Sequence, residues 1–143
     1  MDESILEITE YRGEGFKPLV FFGAWRVAVL RYLDELHPER IARMERHMET
    51  DEVFVLQEGR AVLLMGGKDP RVEAVAPQVM EIGRLYNVRC TAWHSVIMSR
   101  EATILLVENH DTGDANSEYV ELTRDQRRQV VEVARSELPE FFG

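Results

Sequence analysis

Two histidines stand at the heads of apolar stretches, and carboxylates crowd around one of them. The first stretch, ERHMETDEVFVLQEG, runs from Glu45 to Gly59. The second, HSVIMS, opens on His94. Imidazole nitrogens and carboxylate oxygens are the usual donors to Fe(II), Mn, Ni and Zn. Side chains alternate faces along a strand, so Glu45 and His47 point one way and Arg46 the other. By the same parity Glu52, Phe54 and Leu56 share a face, as do His94, Val96 and Met98. In a small β-barrel the inward faces of neighbouring strands converge on one cavity. If these faces are the inner ones, His47, Glu52 and His94 meet there as two imidazoles and one carboxylate with coordination positions left open. A histidine on an apolar strand also reads as a hydrogen-bonded core or rim residue, and Glu45 as one half of a rim ion pair with Arg43 or Arg46.

The elements that would position these groups are short strands. VFVLQ (53–57), RAVLLMG (60–66), VEAVAP (72–77), LYNV (85–88), HSVIMS (94–99) and ATILLVEN (102–109) are separated by polar or glycine-bearing turns. GAWRVAVLRYL (23–33) reads as another strand, and residues 4–11 alternate as a short one. HSVIMS and ATILLVEN, joined by Arg100-Glu101, read as a hairpin. Residues 34–44 form a short helix or an irregular connection with Pro38 at its first turn. Residues 110–118 read as a polar loop. Thr123 and Gln126 form a capping box, after which Val130, Val131, Val133, Ala134 and Leu138 give one apolar stripe, predicting a helix over about 124–138 that caps an open end of the sheet. Many short strands at close spacing make the fold all-β, a sandwich or barrel closed by a C-terminal α-helix.

These strand-borne ligands resemble the two motifs of the cupin superfamily. The first motif of that family reads roughly His-x-His, three or four residues, Glu, six residues, Gly. Glu45-x-His47, four residues, Glu52, six residues and Gly59 fill that frame, with Glu45 where the family has its first histidine. The second reads roughly Pro-x-Gly-x-x-His, and Arg89-Cys90-Thr91-Ala92-Trp93-His94 keeps only the histidine. The resemblance spans about residues 24–110. It implies a double-stranded β-helix, or jelly roll, over a single domain of residues 1–143, similar to small single-domain bacterial cupins. It also implies a divalent metal ion (Fe, Mn, Ni or Zn) held by His47, Glu52 and His94, with Glu45 as a fourth ligand or catalytic base. An added carboxylate would favour Mn or Fe(II) over copper. Cupins serve many chemistries, so no one reaction follows from the fold.

Phe54, Met65, Tyr86, Met98 and Trp25 are candidates for the lining of a ligand pocket. Arg26, Arg31 and Lys17 could anchor an anionic ligand. Asp51 could accept a hydrogen bond from an imidazole. Trp93 should point away from the cavity if His94 points into it. The chain has 143 residues, 45% of them hydrophobic, with a net charge of −9 and one cysteine. That length suits one domain. The acidic balance argues against nucleic acid as a partner. The absence of a long apolar run argues against a membrane span. An acidic start without a secretory pattern and a lone Cys90 suggest the cytoplasm. There is no P-loop, nucleophile elbow or C-x-x-C pair. The expected function is metal-dependent isomerase, lyase or oxygenase chemistry on a small molecule, the alternative being a metal-free cupin that binds a ligand without turning it over. VFVL, AVLLM and TILLV are apolar on both faces and need cover on both, which suggests a homodimer.

Overall fold

β-Branched and aromatic residues fill the segments between glycine and polar turns, and such residues pack well on a pleated surface. The computed structural model describes residues 1–143 and holds ten strands and one α-helix. One antiparallel sheet contains β1 (Gly15–Phe22), β2 (Trp25–Arg31), β9 (Thr103–Asn109), β4 (Glu52–Glu58) and β7 (Leu85–Val88), in that order. The other contains β10 (Ser117–Glu121), β3 (Arg43–His47), β8 (His94–Met98), β5 (Ala61–Met65) and β6 (Ala76–Val79). Two facing sheets between which the chain crosses repeatedly, with only β1–β2 and β5–β6 staying in one sheet, make an all-β jelly roll. No helix is long and apolar enough to cross a membrane.

Strand parity builds the interior. Ala28 on β2, Phe54 and Leu56 on β4, and Ile104 and Leu106 on β9 meet Ala61 and Leu63 on β5 and Val96 and Met98 on β8 in one buried cluster. The alternate residues of the second sheet, Met44, Val62, Leu64 and Ile97, face outward into a second cluster. That face is closed by α1 (Arg124–Glu137), whose Val130 and Ala134 are fully buried, followed by Leu138 and Phe141. Val130, Leu138 and Phe141, removed from water, contribute about 1.5–3 kcal/mol each. The helix starts where the sequence placed it, with Thr123 accepting from the Gln126 N–H and Gln126 returning the bond to the Thr123 N–H. It lies on the outer face of the second sheet, however, and does not cap an open end. So AVLLM is apolar on both faces because one chain covers both.

Several local expectations need correction. HSVIMS and ATILLVEN are not a hairpin: β8 pairs with β3 and β5, while β9 pairs with β2 and β4 in the opposite sheet. A two-residue turn joins strands either within a sheet or across a corner, and local sequence does not say which. Here the β8–β9 corner stacks on the β4–β5 corner. The Ser99 N–H donates to the Arg60 carbonyl at 2.8 Å, and the Arg60 N–H to Ser99 Oγ at 2.9 Å. Gly59 sits between them at φ +78°, where a Cβ would stand 2.6 Å from Ala102 Cα, so only glycine fits. The strand expected over 72–77 forms instead at Ala76–Val79. Residues 4–11 form no strand; the side chains of Ile5 and Ile8 are exposed and find no sheet edge to join. Residues 34–40 fold as two 3-10 turns, Asp34–Leu36 and Pro38–Arg40. Two strands, β1 and β10, lie outside the expected core of 24–110. Pro18 made β1 hard to read, and it is tolerated because β1 is an edge strand with a register shift between Pro18 and Val20.

Candidate metal centre

Three strands of the two sheets deliver the expected donors to one end of the interior. β3 places His47 on its inward face, β4 opens on Glu52, and β8 opens on His94. The three side chains are buried, at 8%, 5% and 3% exposure. Glu52 Oε1 lies 3.1 Å from His47 Nε2 and 3.2 Å from His94 Nε2. Each ring is held from behind. His47 Nδ1 is 2.8 Å from Ser117 Oγ on the neighbouring β10, where Ser117 is the cross-strand partner of His47. His94 Nδ1 donates to the Ala92 carbonyl at 3.0 Å. With Nδ1 of His94 carrying a proton, its Nε2 in a neutral ring is a bare lone pair, and it faces an acceptor-only carboxylate. Two acceptors at that distance require a proton or a metal ion between them.

The electrostatics of the bare site follow from this. Burial disfavours the charged imidazole at both His47 and His94, but the hydrogen bond and charge of Glu52 outweigh it and hold both rings above the ordinary histidine range. Burial likewise works against an ionised Glu52. The two imidazole hydrogen bonds overcome it and keep its carboxyl well below the usual range.

Two more carboxylates complete the cluster. Glu45 Oε1 stands 3.9 Å from His47 Nε2 and 3.8 Å from His94 Nε2, with 41% of its side chain exposed on the cavity side. Glu108 Oε1 approaches His47 Nε2 at 3.9 Å from the first sheet. Sequence reading missed Glu108, although a signal existed: in TILLVEN it occupies the same inward series as Ile104 and Leu106. Burial and the Glu52 charge beside it push Glu108 up to about 7, against the opposing pull of Arg26. That guanidinium donates Nε–H and Nη2–H to Glu108 Oε2 at 3.0 and 2.6 Å and another N–H to the Thr112 carbonyl at 3.1 Å.

The donor set fits a divalent ion. Ligands about 2.1 Å from one ion, at tetrahedral or octahedral angles, stand about 3–3.4 Å apart. Glu52 Oε1 already stands at that distance from both the His47 and the His94 Nε2. Glu45, His47 and His94 form one group whose donor atoms lie within 4.8 Å of one another, and His47, Glu52 and Glu108 form a second.

The cluster forms the floor of a cavity of about 640 Å³ between the sheets, a volume suited to a small molecule. Phe54, Val96 and Leu106 make its apolar wall. Met65, Tyr86, Met98 and Trp25 do not line it. Met98 shares the inward face of His94 but sits two steps deeper, fully buried opposite Ala61. Met65 packs half-buried against the inner core. The Tyr86 hydroxyl accepts from the Glu81 N–H at 2.8 Å. Trp25 has the opposite parity to Arg26, lies outside the barrel beside Phe22, and is 43% exposed. Asp51 accepts from the Cys90 N–H and from Asn87 Nδ2, and touches neither imidazole. Arg31 is spent on the Gly13 carbonyl and Thr103 Oγ1. Lys17 pairs with Val29 on the outer face and is likewise absent from the cavity. Trp93 does point away from the cavity, 2% exposed, under the Arg46 guanidinium at 4.4 Å.

Comparison with solved structures gives the architecture its place. The fold is a cupin-type β-barrel. The nucleoside dehydratase Pac13 of Streptomyces matches with a TM-score of 0.53 at 9% identity, covering 80% of this chain and 86% of that one. A protein of Bacillus halodurans matches at 0.53 and 15% identity over 72% and 76%. The capsular polysaccharide assembling protein CapF of Staphylococcus aureus matches at 0.55 and 10% identity, over 85% of this chain but 34% of its own. Identities this low establish shared fold and nothing of shared chemistry. No protein-family model matches the sequence, and no curated protein is similar to it.

Proposed function

We propose that the chain is a small-molecule enzyme that works with a divalent metal ion held by His47, Glu52 and His94. The observation that supports this reading is the shared Glu52 Oε1, with an imidazole Nε2 on either side and each ring oriented through its other nitrogen. Bound there, the ion would polarise a substrate oxygen and stabilise negative charge on it, as isomerases, lyases and oxygenases require. The surplus of carboxylates favours Mn or Fe(II) over copper. Glu45, 3.8–3.9 Å from both histidine Nε2 atoms, would take a proton from substrate or act as a further ligand. Glu108, poised near neutrality and oriented by Arg26, can hold or release a proton at the cavity wall. Phe54, Val96 and Leu106 exclude water from the reacting atoms. A free Cys90 accords with a reducing cytoplasm.

A second reading has its own support. All four ring nitrogens of His47 and His94 have protein partners, so the cluster is also satisfied as a protonated imidazole–carboxylate network in a metal-free binding protein. Titration of chelator-treated protein with Mn(II), anaerobic Fe(II), Ni(II) and Zn(II), followed by thermal unfolding, separates the two. A bound ion at a hundred times its Kd adds about 2.7 kcal/mol of stability. At least one ion should raise the midpoint in this way, and Glu52→Gln should abolish the rise. No response to any ion would establish the metal-free reading instead.

A further inference from the structure

The cavity mouth carries positive charge that the metal cluster does not use. The chain as a whole bears −9, yet three arginines line this one cavity: Arg26, Arg40 and Arg43. Only Arg26 is paired with a carboxylate, and its N–H groups are spent on Glu108 and two backbone carbonyls. Arg40 ends the 3-10 turn Pro38–Arg40, and Arg43 opens β3. Arg43 has the same parity as Glu45 and His47, so it lies on the inward face of β3, at the mouth. Its guanidinium lies 4.4 Å over the Tyr119 ring. The Tyr119 hydroxyl donates to Asp114 Oδ1 at 2.5 Å, which fixes the ring and with it the plane of the guanidinium. Stacking of this kind holds an arginine in place while leaving its N–H edges free for a planar or tetrahedral oxyanion. Four carboxylates and three guanidiniums line the cavity. A divalent ion would add positive charge to that balance, so the loaded cavity attracts an anion more strongly than the bare one.

We propose that the substrate carries an oxyanion, carboxylate or phosphate, which Arg40 and Arg43 hold at the cavity mouth. This rests on reading the cavity as a small-molecule metal site. Two residues of strand separate Arg43 from Glu45, about 7 Å, so the anchored group sits about that far from the reacting atoms. Arg40 and Arg43 are therefore specificity-determining residues, and the substrate is a short polar acid or a phosphorylated small molecule.

The test uses inorganic phosphate and succinate as probes, titrated by calorimetry at fixed ionic strength into full-length protein with and without Mn(II). Wild type, Arg40→Gln, Arg43→Gln, the double variant and Arg43→Lys are compared, with folding checked by circular dichroism and Mn(II) affinity measured on each. Charge-assisted hydrogen bonds of this kind predict about a tenfold loss of anion affinity per arginine, about a hundredfold in the double variant, and a smaller loss in Arg43→Lys. Mn(II) affinity should be unchanged throughout. The tighter of the two probes identifies the oxyanion. Anion binding that is absent in wild type, or equal in the folded double variant, would overturn the proposal whatever the metal result. A protein that binds anions through these arginines but takes up no Mn(II) would uphold it while refuting the metal reading.

Discussion

At the residue scale the governing fact is one carboxylate oxygen shared by two imidazoles. His47, Glu52 and His94 could be found in the sequence because each opens or closes a strand with the inward parity. Glu108 and Ser117 are harder to see. They come from chain more than 50 residues beyond His47 and Glu52, and they enter the site only once β9 faces β3 and β10 pairs with it. The bare cluster makes a testable statement about pH. His47 and His94 have folded-state values above the ordinary 6.5, so their pairing stabilises fully below that value and is lost as pH rises through the raised one. Glu108, raised from 4.5 to about 7, acts in the same direction. Glu52 is depressed below 4.5, and its contribution is lost only as pH falls through that depressed value. The metal-free protein should therefore lose thermal stability as pH rises across the neutral range. With saturating divalent metal the trend should reverse, because protons then compete with the ion for His47 and His94. Unfolding midpoints across that range, with and without metal, check both signs.

At the element scale the turns hold the information. Thr91 occupies the position where the cupin frame has glycine, and it keeps the left-handed conformation that glycine would supply, with φ 71°. It does so because the turn is pinned: its N–H donates to the His47 carbonyl at 2.8 Å, and Asp51 accepts from the Cys90 N–H at 2.7 Å. A non-glycine residue there carries about 1–2 kcal/mol of strain. Thr91→Gly relieves this strain but frees the unfolded chain, so a net gain of about 0.5–1 kcal/mol is expected in denaturant unfolding, with metal affinity unchanged. Gly59→Ala should do the opposite and cost at least about 2 kcal/mol, because it adds both the strain and a contact with Ala102. The motif glycine was thus legible as spacing, and its reason, two stacked corners, was not. β10 stayed hidden for a related reason. SEYVE is a half-polar edge strand whose partner, β3, lies some 70 residues earlier, so no local pattern marks it.

At the scale of the whole molecule, the two sheets are unequal. The second has α1 over its outer face, and Trp93 is buried there without help from another chain. The first has no helix over it, only residues 9–12 beside Val27, Val29 and Leu105. Val27, Val53, Val55 and Val107 on its outer face are only partly buried; Phe22 and Trp25 at one edge are 74% and 43% exposed, and Leu85 at the other edge is 74% exposed. We propose that this face joins two copies into a homodimer. The apolar doubling in VFVL and TILLV then has the purpose that α1 serves for AVLLM. Light scattering at micromolar concentration should give twice the 16.6 kDa chain mass, and Trp25→Glu with Leu85→Arg should give the single mass without loss of the fold. A monomer in the wild type would refute the dimer and leave the metal site untouched, because the cavity is complete within one chain.

The most direct test of the central claim is metal content by elemental mass spectrometry, on protein purified without an affinity tag or chelator, beside His47→Ala and His94→Ala. Near-stoichiometric Mn, Fe, Ni or Zn in wild type, lost in both variants, is the result expected from two imidazoles sharing Glu52. Wild-type protein that remains metal-free after reconstitution, or variants that retain the ion, would contradict it.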